Sequence, residues 1–122
     1  MLRRGGALDG TRLLKEETVL AMTMRQRVGL FDQTFQKTID WGLGIIINSA
    51  HYGAAIPYQF GPHASPGTFG HGGSQSSTGF CDPERKLVVA MVFNGCPGEP
   101  AHDRRLRAVL KALYEDLGFG GS

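Results

Sequence analysis

Hydrophobic positions divide the chain into short pieces separated by glycine, proline and small polar residues. In the first piece Asp9-Gly10 is a two-residue turn signal, so residues 5–14 predict a small hairpin. A helix is predicted over residues 16–26. Glu16 and Glu17 lie in its first turn, where the helix dipole favours them, and Val19, Leu20, Met22 and Met24 supply an apolar face. Residues 26–40 show no period and predict a loop with at most one strand. From 39 to 48, Trp41, Leu43, Ile45 and Ile47 alternate with period two, the pattern of a strand. Residues 49–67, rich in Gly, Pro and Ala, predict a long loop of the kind that is usually functional or mobile.

Three successive antiparallel strands are predicted next, over 69–73, 78–82 and 87–94, with a turn at Asp82-Pro83-Glu84-Arg85. The last is apolar at Leu87, Val88, Val89, Ala90, Met91, Val92 and Phe93 in succession, which predicts cover on both faces. Leu106, Val109, Leu110, Leu113 and Leu117 then recur at helical spacing over residues 101–117. Pro100 stands before them and Gly118 after them. The fold class is therefore α+β, an antiparallel sheet of about four strands with a C-terminal helix on one face. Residues 1–122 read as one segment, without repeats or a second domain.

Composition changes this picture little. Hydrophobic residues make up 41% and charged residues 20%, and the formal net charge of +2 is too small to argue for a nucleic-acid partner. The 18 glycines suit short strands and tight turns. No apolar run reaches the ~18 residues of a membrane-spanning helix, and Arg3-Arg4 is not followed by a signal-peptide core. A hairpin turning near Glu84-Arg85 sets Cys81 opposite Val88 and leaves Cys96 beyond the strand end, so two unpaired thiols are expected. Unpaired thiols favour a reducing, cytoplasmic compartment.

The stretch with chemical content is Thr68-Phe69-Gly70-His71-Gly72-Gly73-Ser74, followed by Gly79-Phe80-Cys81-Asp82-Pro83. Glycines beside a histidine on a strand let a ligand approach the backbone closely. Together with the strand ending in Asn94, these residues look like the C-terminal part of the class C β-lactamase-like serine hydrolases. That superfamily includes β-lactamases, D-alanyl-D-alanine peptidases, which are penicillin-binding proteins, and related esterases. Gly5-Gly6-Ala7-Leu8-Asp9-Gly10-Thr11-Arg12-Leu13-Leu14 and Trp41-Gly42-Leu43-Gly44 fit the same family. The resemblance runs along nearly the whole chain, but the chain matches only the end of such an enzyme. It implies a partial β-lactamase/transpeptidase-like fold lacking its N-terminal strands and helix.

Such enzymes run acyl transfer with Ser-x-x-Lys, a tyrosine motif, and a triplet headed by Lys or His on the strand beside the cleft. The resemblance implies that His71 heads the triplet as hydrogen-bond donor or proton shuttle. It places Gly72 and Gly73 against the substrate and makes the Ser74 backbone N–H an oxyanion donor. Relatives often have more glycine after the triplet, where this chain has Gln75-Ser76, so bulk there is expected to narrow the cleft or change its substrate.

The other two motifs are absent. No lysine stands three residues after Ser49, Ser65, Ser74, Ser76, Ser77 or Ser122, and Tyr52, Tyr58 and Tyr114 lack the Asn or Ser that the motif requires. The chain alone is expected to be inactive and to need an N-terminal part supplied by another chain or an upstream segment. The alternative is a non-catalytic remnant that binds a ligand or partner. By the resemblance, the missing strands would leave residues 87–93 an exposed apolar edge, and the chain marginally stable. His51, His63, His71, Cys81 and Cys96 lack the paired spacing of structural zinc sites, so no metal or other cofactor is expected. Arg104, Arg105 and Arg107 read as a solvated basic face of the last helix.

Overall fold

The computed structural model describes residues 1–56 and 60–120. Tyr58 and Ser122, considered above, lie outside the described residues. The Asp9-Gly10 turn joins β1 (Ala7–Leu8) to β2 (Thr11–Arg12), with Leu8 opposite Thr11 and Ala7 opposite Arg12, as the sequence predicts. Helix α1 (Glu16–Thr23) follows and stops three residues short of the expected end. Two forces end it there. The Arg25 guanidinium is drawn to Asp40, with Nε 2.8 Å from Oδ2, and the backbone leaves the helix to pair with Trp41 through Gln26 N and Arg27 N. Gly42 packs so tightly against the end of α1 that a Cβ there would lie 2.2 Å from the Met22 carbonyl oxygen. Only glycine allows that approach.

Residues 26–40 hold two very short strands, β3 (Phe31–Asp32) and β4 (Lys37–Thr38), paired antiparallel. The turn between them is set by Asp32, whose Oδ1 accepts hydrogen bonds from the backbone of Thr34 and Phe35. Side-chain capping of a turn leaves no hydrophobic period to read. The strand expected over 39–48 is a tight reversal instead. Trp41 and Ile46 face each other antiparallel, and only β5 (Ile46–Ile47) joins the main sheet. The alternation of Trp41, Leu43 and Ile45 therefore does not mark one face of one strand.

The main sheet contains β5, β6 (Phe69–Gly73), β7 (Ser77–Asp82) and β8 (Leu87–Val92), all antiparallel neighbours in that order. Helix α2 (Glu99–Asp116) lies on one face, with Pro100 in its first turn. Its Leu106, Leu110 and Tyr114 pack with Ile39, Ile46, Phe60, Phe80 and Val89 into the larger core. The opposite face carries a smaller cluster of Ile47, Phe69 and Cys81, backed by Leu2 and Ile45. Cys81 stands opposite Val88, and both cysteines are free.

β8 departs from the expectation of cover on both faces. Val89 is buried towards α2, whereas Val88 and Val92 are 60% and 81% exposed. The uniform apolar run marked a strand whose second face and outer edge have no cover among the described residues. Among the described residues no helix is long and apolar enough to cross a membrane.

One carboxylate joins the pieces. Asp82 is fully buried at the end of β7. Its Oδ1 accepts from Arg85 N, closing the turn to β8, while Oδ2 accepts from Ser65 N at 3.0 Å and from the Tyr114 hydroxyl at 3.0 Å. The long loop, the β7–β8 turn and α2 therefore meet on one side chain. Burial pushes the Asp82 carboxyl up, but the hydrogen bonds from Ser65, Arg85 and Tyr114 outweigh it and hold the group below the ordinary carboxylate range.

Tyr114→Phe deprives Asp82 of one donor and is expected to cost about 1–3 kcal/mol. Asp82→Asn is expected to cost more, since the amide cannot accept on both sides; urea unfolding of both variants checks the order. Because the folded group is depressed, its contribution is fully present above the unfolded value of about 3.9. It is lost as pH falls below that value. The urea midpoint should therefore drop between pH 5 and pH 3, and less steeply in Asp82→Asn, whereas equal slopes would contradict this assignment.

Candidate functional site

The site begins with the pleat of β6. Successive side chains on a strand point to opposite faces. Ile46, Phe80 and Val89, which share a register row with Gly70, belong to the core under α2. Phe69 pairs with Cys81 on the other face. His71 shares the parity of Phe69 and so stands on the face away from α2, exposed, opposite Gly79. Beside it runs an open groove of about 390 Å³, lined by Leu2, Ile45, Phe69, Cys81, Val88 and Ala90 together with His71 itself. Gly79 has no side chain to fill the space, and among the described residues beyond its chain neighbours the nearest atom to the position of its missing Cβ is Val89 O at 4.0 Å.

The imidazole is oriented from two sides. Its Nδ1 lies 2.6 Å from the Gly72 carbonyl oxygen, to which it donates in the Nδ1–H tautomer. In that tautomer Nε2 is the basic nitrogen. The Trp41 ring stands 5.8 Å from the imidazole, centroid to centroid. Trp41 is itself held by Asp32, whose Oδ2 accepts from the indole Nε1 at 3.2 Å and from Arg27 at 2.9 Å. The hydrogen bond from Phe35 N leads the interactions that depress the Asp32 carboxyl; burial opposes it, and Arg27 and Thr34 assist. The sequence reading placed Trp41 in the family pattern without giving it this position against His71. Its only signal was a tryptophan beside paired glycines.

β6 ends at Gly73, and Ser74 lies in the turn that follows, exposed. Gly73 is opposite Ser77, and a Cβ on Gly73 would come within 2.1 Å of Ser77 Oγ. A side chain at that glycine would need the Ser77 hydroxyl to rotate away, the next nearest atom being Ser77 Cβ at 3.5 Å. Gln75 sits in the turn with φ of 51°. Its carbonyl oxygen accepts from Arg105 Nη2 at 2.8 Å, and its Oε1 accepts from Gly98 N at 3.1 Å. The amide is thus directed at the start of α2, and Gln75 does not line the groove.

Arg105 corrects the expectation of a solvated basic face. Its guanidinium lies 4.3 Å from the Phe93 ring centroid and donates to Gln75 O and Gly95 O. It fixes the turn that carries Ser74. Arg107 donates to Asp103 Oδ2 and to Ile56 O. A run of arginines in sequence looks the same whether the groups face water or cap a turn, and only the fold separates the two.

The remaining candidates lie apart. His51 stands 3.6 Å from the buried Asp40, and His63 stands 3.6 Å from Glu115. Cys81 lies in the smaller cluster, where burial pushes its thiol up and away from the thiolate form. Cys96 is exposed beyond β8. Among the described residues no three His, Cys, Asp or Glu side chains come together as a metal site. Ser49 is buried, accepting from Asp40 N and donating to Ile47 O, and Ser65 is buried with its N–H on Asp82. Tyr52 donates to Asp40, and Tyr114 to Asp82. The arrangement offers an oriented imidazole beside an apolar groove, and a turn of backbone at Ser74 that lies outside the groove's lining. It can donate a hydrogen bond or relay a proton.

Comparison with known proteins gives the family and the fold. Residues 1–114 match the family model described as beta-lactamase. The chain is 32% identical over 93 residues to the esterase/beta-lactamase LipL of Mycobacterium tuberculosis, a match covering 76% of the chain and 19% of the relative. A penicillin-binding protein homolog from Caulobacter crescentus superposes with a TM-score of 0.58 at 30% identity, over 88% of the chain and 28% of that structure. A beta-lactamase from Mycobacterium bovis superposes with a TM-score of 0.67 at 23% identity, over 85% of the chain and 38% of that structure, a likeness of fold. The chain thus spans well under half the length of these relatives, and it belongs to the beta-lactamase family.

Proposed function

We propose that residues 1–122 are the C-terminal segment of a serine hydrolase of the beta-lactamase family, and that they form one wall of its acyl-transfer site. The observation that carries the proposal is the placement of His71: exposed on the uncovered face of the sheet, midway along the strand that leads into Ser74. In this reading the imidazole donates a hydrogen bond to substrate or shuttles a proton to the leaving group. Gly72 and Gly73 let substrate lie against the strand. The Ser74 backbone N–H serves as one oxyanion donor, and the turn is kept in place by Arg105. The attacking serine and its lysine come from polypeptide upstream of Met1 or from another chain, because no serine here has a lysine three residues on. The bond cleaved is an amide or an ester.

By itself the chain is expected to show no hydrolysis of a chromogenic cephalosporin or of p-nitrophenyl esters above buffer. Turnover by the purified chain that is abolished by His71→Ala would overturn this reading. When the chain is joined to upstream polypeptide bearing Ser-x-x-Lys, hydrolysis is expected, and His71→Ala should lower kcat/KM about 10²–10⁴-fold. Ser74→Ala keeps the backbone N–H and should change the rate little, whereas Ser74→Pro removes it and should cost about 10²–10³-fold in kcat. A complemented enzyme indifferent to both His71→Ala and Ser74→Pro would leave the chain a non-catalytic binding remnant.

A further inference from the structure

His102 is a buried titratable group that the catalytic reading leaves unused. It lies in the first turn of α2 and is 2% exposed. This chain's own residues bury it, so polypeptide beyond residues 1–122 has no access to the ring. Its Nδ1 lies 3.3 Å from Arg105 Nε. The two residues are three apart on α2 and share a face. A guanidinium keeps its protons and can only donate, so Nδ1 accepts. The ring is then neutral, with its one proton on Nε2. Nε2 is buried and meets no hydrogen-bond partner among the described residues. A buried donor left unmet is costly, and an apolar side chain in the same space would avoid the cost. Packing alone therefore does not account for an imidazole here. What the imidazole adds over leucine is the acceptor at Nδ1.

That acceptor acts on the turn after β6. Arg105 Nη2 donates to Gln75 O at 2.8 Å and to Gly95 O at 2.9 Å, and the guanidinium lies against the Phe93 ring. Gln75 has φ of 51°, a conformation that a residue with a side chain adopts at a cost, so the turn needs to be held from outside. Phe93 belongs to the same assembly. Its N donates to Ser76 O, and its ring meets His102 edge to face, 5.8 Å between centroids at 83°. Arg105 is thus tied to the turn at Nη2 and to His102 at Nε. Without the Nδ1 acceptor the Nε–H is unmet, and the planar group can tilt away from Gln75.

We infer that His102 is a positioning residue. As a neutral Nε2–H imidazole it holds Arg105 by Nε, and through Arg105 it sets the turn that aims the Ser74 backbone N–H. Its effect on rate rests on the proposed role of Ser74 as oxyanion donor; its effect on the turn does not.

Proton–nitrogen correlation spectra of the labelled chain at neutral pH are expected to show His102 as the Nε2–H tautomer. His102→Leu fills the space without an acceptor, whereas His102→Asn carries Oδ1 close to where Nδ1 stands. The leucine variant should speed amide exchange at Ser74 and Gln75 about tenfold or more, and asparagine should keep it within about threefold of the parent. In the chain joined to upstream polypeptide bearing Ser-x-x-Lys, His102→Leu should lower kcat about tenfold and leave KM within about twofold, with most of the loss recovered by asparagine.

An Nδ1–H tautomer or a doubly protonated ring would overturn the inference without any variant. So would a folded leucine variant with the Ser74 and Gln75 amides unchanged. Equal impairment by leucine and asparagine would reduce the role to packing and overturn it as well. In the joined enzyme, a rate sensitive to Ser74→Pro but not to His102→Leu would overturn it and leave the catalytic reading standing. Indifference to Ser74→Pro would instead overturn that reading, while exchange at Ser74 in the chain alone still decides the positioning.

Discussion

A strand has two faces, and on β6 that rule decides what the molecule can do. His71 follows Phe69 by two residues, and Phe69 is committed to the cluster with Cys81 and Ile47. Gly70 is fixed on the other side, because any Cβ there would come within 2.3 Å of the Gly79 carbonyl oxygen. A register slip of one residue would turn the imidazole into the core beneath α2 and force Phe69 out of its cluster. The position of His71 on an open face is therefore enforced by packing on both sides of the strand. The functional reading rests on that constraint, since an imidazole under α2 could meet no substrate.

Three buried aspartates do for the loops what the apolar residues do for the sheet. Asp82 gathers the long loop, a turn and α2. Asp40, fully buried, accepts from Gly29 N, Arg25 and the Tyr52 hydroxyl. Burial pushes its carboxyl up, yet these donors hold it below the ordinary range. Asp32 caps the β3–β4 turn and anchors Trp41. A buried carboxylate is tolerated only when its lone pairs are met, and one left with an unmet partner is costly. In this chain each acts as a node whose donors come from segments distant in sequence. Loops built in this way can hold Trp41 in position although regular secondary structure is sparse around it.

Regular elements were legible where side-chain period or turn chemistry was strong. Asp9-Gly10, the three strands around Gly79-Phe80 and the leucine spacing of α2 all carry their own signal. So did the placement of Cys81 opposite Val88. The short hairpin at Phe31–Asp32 was not legible, because a carboxylate accepting from the backbone organises it. The alternation from Trp41 to Ile47 misled, since a two-sided reversal leaves the same pattern as one strand. β8 was read as covered on both faces, a case in which sequence reports what a face would bury and not what is present to bury it. Arg105 and Gln75 were each noted in the sequence but not joined, because their contact spans 30 residues. Of the candidate site, the histidine and its glycines could be read from motif and strand alone; their supports could not.

In the proposed reading, the uncovered face, the open edge of β8 and the missing Ser-x-x-Lys are one condition: a wall of an acyl-transfer site whose other half comes from further polypeptide. The most direct test is a crystal structure of the chain joined to upstream polypeptide carrying Ser-x-x-Lys, trapped as an acyl-enzyme with a slowly hydrolysed lactam or ester. This account predicts the acyl carbonyl oxygen at about 3 Å from the Ser74 backbone nitrogen, with the His71 imidazole lining the same cavity. An acyl group held away from β6, with His71 covered by a helix that leaves no groove beside it, would contradict it.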